Sequence, residues 1–521
     1  MPRIGVDVGG TNTDAVLMQG ARILASTKSS TTEDVMSGVV ASIERVLADS
    51  GIACADVDAI MIGTTHFTNA VVERRHLAST AAVRLCLPAA QCLPPMVDWP
   101  DDIRTAVGAH GWMAHGGYEF DGREISALDE RELERIGDEI REKGIESVAI
   151  SSVFSPVSDA MEREARDILA TRVPGGRFTL SSAIGRLGLL ERESAAIMNA
   201  ALQPLSERIV KAFDAALSKI GLGCPRYFTQ NDGTLMDADF VRAYPVLTFA
   251  SGPTNSMRGA SFLTGEADAI VVDVGGTSTD VGALVKGFPR AASHAVDVGG
   301  VRTNFRMPDV YSIALGGGTI IRDAADVGSI GPRSVGYRIR EEALVFGGDT
   351  LTCTDVVVGL GLAEIGDAQV MHSFDRGTLV ALKHKIDEMI AAAADRMRVS
   401  PDAIPVLAVG GGSILVPDRV GDLQVKRPEH FSVANAVGAA IGQISGEVDR
   451  IFSLASMSRG EALDEARREA TEKCVAAGAL PDSIELIDQE DVPLAYLPGD
   501  ATRIRLKVVG DLQEHSGEGH A

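Results

Sequence analysis

The sequence predicts an α/β protein: two domains that each open on the same β-hairpin and face each other across a cleft, followed by a small C-terminal α+β unit. Three observations carry this. Asp7-Val8-Gly9-Gly10-Thr11-Asn12-Thr13-Asp14 returns about half a chain later as Asp273-Val274-Gly275-Gly276-Thr277-Ser278-Thr279-Asp280, and only Asn12 against Ser278 differs. Both copies have the same flanks, an apolar run before (Ile4-Gly5-Val6 and Ile270-Val271-Val272) and another after (Ala15–Met18 and Val281–Val285). Strand, glycine turn, strand is the pattern of a hairpin. The segments between alternate helical and strand periodicity, as α/β folds do.

In chain order, third strands are expected near Arg22–Ala25 and Phe288–Ala292. Glu33–Asp49 carries Val35, Val39, Ile43 and Val46 on one helical face. Val57–Ile62 reads as a buried strand that ends in the polar loop Gly63–Asn69 and leads into a helix. Ala81–Leu87 is a strand, and residues 88–127 read as irregular with a hairpin at Tyr118–Ile125. Asp129–Lys143 (helix), Ser147–Phe154 (strand) and Met161–Thr171 (helix) follow. Leu190–Ile220 reads as a long helix interrupted at Pro204, which lacks the N–H of the helical ladder, and as a bridge between domains. The second half opens on the strand Arg226–Thr229 and a turn at Asn231-Asp232-Gly233, and Ser251-Gly252-Pro253 starts a helix. Two more glycine clusters stand at Gly316-Gly317-Gly318 and Gly410-Gly411-Gly412-Ser413. Asn435–Ile441 is a helix of small residues that permits close packing. The helix Glu461–Ala477 and strands Ile484–Ile487, Leu494–Leu497 and Arg503–Val509 make the C-terminal unit, and Glu514–Ala521 is expected to be disordered. The domains are set at 1–192, 193–456 and 457–521.

Composition narrows the function. The 521 residues are 45% hydrophobic and 23% charged, enough for several packed domains. The net charge of −23, with no Lys/Arg run against it, argues against nucleic-acid binding and a polybasic membrane anchor. No apolar run of about 18 residues and no leader-type N-terminus is present, so a cytoplasmic protein without a membrane partner is expected. Six scattered cysteines without C-x-x-C spacing fit a reducing compartment. His66, His76, His110 and His115 lack zinc-site spacing. Neither a G-x-x-x-x-G-K-[ST] loop nor a G-x-S-x-G elbow occurs.

The turns carry the chemistry. Paired glycines (Gly9-Gly10, Gly275-Gly276) let backbone N–H groups approach a ligand. With the hydroxyls of Thr11, Thr13, Thr277 and Thr279 they form an anion-binding concavity. Asn12 and Ser278 would add phosphate contacts, and Asp7 and Asp273 are placed to hold a Mg²⁺ that phosphates bring. Two such loops would grip one polyphosphate from opposite sides. Asp14 and Asp280 either act on substrate or water, or hold the turns by accepting from turn N–H groups.

Taken together, the paired D-x-G-G-T-x-T-D hairpins, the V-G-G-G-S cluster and the small-residue helix resemble the actin, sugar-kinase and heat-shock-chaperone ATPase superfamily. Within it the chain resembles, nearly end to end, the A-type subunits of the hydantoinase/oxoprolinase family. That likeness rests on Gly63-Thr64-Thr65 with Asn69, Tyr118–Ile125, Ser251-Gly252-Pro253, Asp273–Val281, Gly316–Gly318, and Thr354-Asp355 before Val356–Gly359. The resemblance implies two actin-like ATPase domains around a nucleotide cleft, with ATP and Mg²⁺ as cofactors. Gly410, Gly411, Gly412 and Ser413 would contact the adenosine, and helices near 193–203 and 435–442 would form the hinge. It implies an ATP-dependent hydrolase subunit that phosphorylates the carbonyl oxygen of a cyclic amide (hydantoin, 5-oxoproline or another lactam). A B-type partner subunit and an oligomer are expected with it. An ATP-dependent carboxylase or kinase subunit, or an ATP-driven conformational switch for a partner enzyme, is the alternative. Thr64, Thr65, His66, Asn69, Gly316, Gly317 and Gly318 would meet the substrate beyond the γ-phosphate; helix capping by Thr64 and Thr65 and a plain turn at Gly316–Gly318 are the competing readings. The chain departs from the family pattern at Ser251–Asn255, at Arg333–Phe346 and at His66, which bears on the substrate.

Overall fold

The computed structural model describes residues 2–9, 12–30, 35–292, 295–398, 404–455, 457–495 and 500–513. The first hairpin is β1 (Pro2–Val8) and β2 (Asn12–Gln19), extended by β3 (Arg22–Ser30) and backed by α1 (Val35–Ser50). Next come β4 (Ala59–Thr64) and α2 (His66–Val72). A parallel four-stranded sheet follows, with Thr80–Leu87 between His110–His115 and Ser147–Ser152, and Arg177–Leu180 at its edge. The helix α3 (Leu189–Lys219) leads to β5 (Arg226–Thr229), β6 (Thr234–Asp237) and α4 (Ser251–Thr264). The second hairpin is β7 (Ala269–Val274) and β8 (Thr279–Val285). After it come β9 (Val406–Val409), α5 (Ala434–Ala440), β10 (Gln443–Ser453), α6 (Arg459–Ala476), β11 (Glu485–Pro493) and β12 (Ala501–Gly510). No helix among the described residues is long and apolar enough to cross a membrane.

Two large sheets carry the hairpins. The first has nine strands in the order β11-β12-β10-β6-β5-β4-β1-β2-β3. The second has Phe288–Pro289, β8, β7, β9, Leu423–Lys426 and Arg419–Val420 in line, with Val310–Ile313 also paired to β8. Alternation along β1 sends Ile4, Val6 and Val8 into the core under α1 and α3, while Gly5 and Asp7 face α5. The second core gathers Ile270, Val272, Val274 and Val281 with Ile386 and Ile390 from the helix Arg376–Met397.

The structure differs from four expectations. The expected break at Pro204 is absent: α3 runs through it, because Ala195–Gln203 and Val210, Phe213 and Leu217 are buried along its length and this packing outweighs one missing hydrogen bond. The boundaries at 192 and 456 do not follow the sheets. β5 pairs parallel with β4 and β6 parallel with β10, while β12 pairs antiparallel with β10, so the C-terminal strands extend the first sheet and α6 packs on β10 and β12. Such pairings join distant segments by backbone hydrogen bonds, which no local pattern records. Residues 88–127, read as irregular, also hold a helix at Asp101–Ala106 and the strand His110–His115. The strand expected at Leu494–Leu497 is not formed at Leu494 and Ala495, and its remainder, like Glu514–Ala521, lies outside the described residues.

Candidate functional site

The two hairpins repeat in register as well as in sequence. Asp7 pairs with Asp14 and Val8 with Thr13; Asp273 pairs with Asp280 and Val274 with Thr279. The first turn closes with Gly9 N–H donating to the Asn12 carbonyl at 3.0 Å, the second with Gly275 N–H donating to Ser278 at 2.9 Å. Each hairpin leans on a parallel strand that brings a glycine close to its aspartate. A Cβ on Gly63, the penultimate residue of β4, would lie 2.2 Å from Asp7 Oδ1; one on Gly410, just after β9, would lie 2.2 Å from Asp273 Oδ1. Gly410 also has φ +84°, so only glycine fits there without strain.

Both turns open on one cavity of about 170 Å³, lined by Gly9, Asn12, Asp14, Lys28, Ser256, Asp273, Gly275–Ser278, Gly410, Gly411, Ser432, Ala434 and Asn435. A larger groove of about 670 Å³, between α1 and the end of α3, holds none of the predicted site residues.

Two crossing helices carry polar side chains to the aspartates. Asn255 on α4 donates to Asp7 Oδ1 at 3.0 Å and to Thr229 Oγ1 at 3.1 Å. Its neighbour Ser256 hydrogen-bonds to Asp273. Asn435 on α5 donates to Asp7 Oδ2 at 3.0 Å and to Asp14 Oδ2 at 2.9 Å. Burial pushes Asp7 up to about 6, held back by the Asn255 and Asn435 bonds and raised further by Asp14. Burial pushes Asp273 up to about 7, and Ser256 opposes it. Asp14 and Asp280 are raised for the same reason. Buried carboxylates that resist ionisation together make a site short of positive charge. Asp7 and Asp273 are the carboxylates that could hold a divalent cation there. Among the described residues no three His, Cys, Asp or Glu side chains gather into a ready-made metal cage.

The structure sorts the predicted residues. Gly9, Asn12, Asp14, Asp273, Gly275, Gly276, Thr277, Ser278, Gly410 and Gly411 meet on the cavity wall, with Asp7 buried behind it. Gly10 and Thr11 lie outside the described residues. Thr13 and Thr279 do not face the cavity: strand alternation turns them inward, and Thr279 donates to the Leu315 carbonyl at 2.5 Å. Gly412 and Ser413 are likewise buried beside the wall; Gly412 N–H donates to the Val274 carbonyl at 2.7 Å. Gly316–Gly318 are not brought to the cavity either. Gly317 and Gly318 donate to the carbonyls of Gly275 and Gly276 at 3.0 and 2.8 Å, bracing the second turn from behind. Asp14 and Asp280 do not hold turn N–H groups. Asp14 accepts from Lys28 and Asn435, and Asp280 from the Ser312 hydroxyl.

Thr64, Thr65, His66 and Asn69 sit at the end of β4, where Thr64 pairs with Val8 beside the first turn. Neither threonine serves as a side-chain cap of α2 through an N2 or N3 amide. Thr65 Oγ1 donates to the Val8 carbonyl at 3.2 Å, Asn69 donates to Thr65 Oγ1 at 3.4 Å, and Thr64 Oγ1 bonds His66 Nδ1. Burial holds the His66 imidazole below its ordinary value.

Sequence reading missed Lys28, Asn255, Ser256 and Asn435 as site residues. Only Lys28 left a local signal: the short turn after Gln19 puts it opposite Asp14 in the β2–β3 ladder.

The family model for the hydantoinase/oxoprolinase N-terminal region matches residues 3–173, and the hydantoinase/oxoprolinase model matches residues 192–404. The caprolactamase subunit alpha of Pseudomonas jessenii is 27% identical over 474 residues, covering 84% of this chain and 65% of its own. The acetophenone carboxylase gamma subunit of Aromatoleum aromaticum is 24% identical, covering 69% of this chain and 53% of its own. The chain therefore spans about half to two thirds of the length of these relatives. The crystal structure of the ATP-dependent caprolactamase from Pseudomonas jessenii superposes with a TM-score of 0.77 at 19% identity, over 98% of this chain and 88% of that one, so the two share a fold.

Proposed function

The chain belongs to the hydantoinase/oxoprolinase family, and on that premise we propose that it is the A-type subunit of an ATP-dependent hydrolase that opens a cyclic amide by phosphorylating its carbonyl oxygen. One observation carries the proposal: two hairpins with the same register place their glycine turns and Asp7 and Asp273 around a single cavity. The caprolactamase relative, whose solved counterpart is named ATP-dependent, supports a lactam or a similar ring as substrate.

An amide resists water because its carbonyl carbon is electron-rich. Transfer of the terminal phosphoryl group of ATP to the carbonyl oxygen breaks that group's bond to the β-phosphate and leaves an O-phosphorylated imidate. Water adds to the activated carbon, the ring C–N bond breaks to an acyl phosphate and an amine, and a second water releases phosphate. Phosphoryl transfer asks mostly for position and charge neutralisation. The turns closed at Gly9 and Gly275, with the Gly276 N–H and the side chains of Asn12, Thr277 and Ser278, would hold the phosphates from both sides. Asp7 and Asp273 would hold Mg²⁺, whose charge supports the reaction at the transferring oxygens. Their raised affinity for protons and the excess of carboxylate at the wall fit a hard cation. Gly410 and Gly411 would lie toward the adenosine, and Thr64, Thr65, His66 and Asn69 toward the ring. A B-type partner subunit would complete the enzyme.

The test is ADP release by the purified chain with Mg²⁺ and ATP against hydantoins, 5-oxoproline, other lactams and ketones, with Asp7→Ala as control. Release stimulated by a cyclic amide and lost in the variant is expected. Stimulation by a ketone and bicarbonate instead would favour a carboxylase subunit, the reading that the acetophenone carboxylase relative supports. Failure to bind ATP at all would refute the reading of the paired hairpins.

A further inference from the structure

Lys28 stands apart in the cleft. Among the described residues lining the cavity it is the only cation, facing Asp14 and Asp273, with Asp7 close behind. It lies on β3, directly opposite Asp14 in the ladder. Its ammonium donates to Asp14 Oδ1 and Oδ2 at 2.9 and 2.7 Å and to the Ser432 carbonyl at 3.1 Å. It therefore joins the first hairpin's sheet to the loop that precedes α5. Its stem runs beside the third glycine loop: a Cβ on Gly411 would lie 3.4 Å from Lys28 Cε. The side chain remains 31% exposed, whereas that of Asp14 is 2% exposed.

We propose that Lys28 is the polyphosphate-reading residue of the cleft, turning its ammonium from Asp14 and Ser432 toward the phosphate oxygens of a bound nucleoside triphosphate. The inference rests on the nucleotide reading above. Three features support it beyond a plain ion pair. The ammonium sits on the cavity wall between both turns, so a phosphate chain gripped by the turns passes within its reach. Asp14 keeps a second donor when the ammonium turns away, because Asn435 holds Asp14 Oδ2 at 2.9 Å. And a polyanion entering a wall of carboxylates needs a fixed positive partner besides any cation it carries. A four-carbon stem with a rotatable ammonium suits a group that exchanges partners.

The experiment is calorimetric titration of the full chain with Mg²⁺ complexes of AMP, ADP and the non-hydrolysable triphosphate AMP-PNP. Lys28→Met is expected to weaken AMP-PNP by roughly ten- to a hundredfold, the worth of a charge-assisted hydrogen bond, while leaving AMP within about twofold. Lys28→Arg, which keeps the charge, should recover most of the loss. Lys28→Met strands Asp14 beside one amide, so the pair Asp14→Asn and Asp14→Asn/Lys28→Met gives the same comparison with no buried charge left alone. An equal loss for AMP, ADP and AMP-PNP would mean that Lys28 only supports the fold, and overturns the proposal. Unchanged AMP-PNP binding in Lys28→Met and in the double variant relative to Asp14→Asn overturns it too. If the wild-type chain binds no AMP-PNP, the nucleotide reading itself falls, and the inference with it.

Discussion

Gly438→Ala tests how the two helices hold the site. α4 and α5 cross backbone to backbone. A Cβ on Gly438 would stand 1.8 Å from the Asn255 carbonyl oxygen, and one on Gly259 would stand 1.8 Å from that of Ala434. A carbon and a carbonyl oxygen rest at about 3.3 Å, so the added methyl group must part the helices by about 1.5 Å. Overpacking of that kind costs about 1–3 kcal/mol. The same displacement stretches the 3.0 Å bonds from Asn255 and Asn435 to Asp7 beyond hydrogen-bonding range. A buried carboxylate that loses one such bond costs about 1–3 kcal/mol more. The expected outcome in urea unfolding is a loss of roughly 2–6 kcal/mol, with at least about tenfold weaker Mg²⁺·AMP-PNP binding. Gly252→Ala is the control on the partner helix α4, because its Cβ would have its nearest neighbour at 3.9 Å. It should stay within about 1 kcal/mol of wild type. A Gly438→Ala chain as stable and as competent in binding as Gly252→Ala would refute the reasoning.

Three further outcomes are expected. Gly410→Ala forces a methyl group to 2.2 Å from Asp273 Oδ1 at φ +84°; it should cost about 2–4 kcal/mol in urea unfolding and abolish ADP release. Arg84 is wholly buried and its Nε donates to Glu193 Oε2 at 2.6 Å, so Glu193→Ala strands a buried guanidinium and should cost about 3–5 kcal/mol, against less for Glu193→Gln. Asp232 is raised by burial, but Lys507, Arg306 and its hydrogen bonds more than cancel this and hold it well below the usual carboxylate range. A depressed folded-state value means stability that is fully present above the unfolded value of 3.8 and is lost as pH falls through the folded one. Acid unfolding below about pH 4 should therefore lose part of its slope in Asp232→Asn.

The duplicated turns were legible because their chemistry is local. A glycine pair between apolar runs, with an aspartate at the end of the first, needs only a short stretch of chain to show a hairpin and a phosphate-type loop. Gly9, Asn12, Asp273 and Gly275–Ser278 line the cavity wall, as the turn chemistry leads one to expect, and Gly410 and Gly411, singled out by the family resemblance, line it too. Thr13 and Thr279 do not join the turn's donors, because strand alternation points them into the core. The backbone of Gly316–Gly318, a substrate loop by family resemblance or a plain turn by sequence, braces the second turn, a role visible only once residues 275 and 317 are neighbours. The crossing of α4 and α5 through Gly259 and Gly438 is equally invisible in the sequence, because it joins segments far apart in the chain.

By itself the sequence determined the two hairpins, their aspartates and the α/β class, since turn chemistry and hydrophobic period act within a few residues. Tertiary structure decided what surrounds the aspartates. Asn255, Ser256 and Asn435 come from helices far along the chain, and only their close crossing brings amides to Asp7 and a hydroxyl to Asp273. It also decided that the last strands complete the first sheet, because the backbone groups of β10 need partners on both sides and find them in β12 nearby and in β6, far back along the chain. The physical reason is the same in both cases. Burial and hydrogen bonding are settled between segments that meet in space, and a linear pattern records only what each segment brings to the meeting.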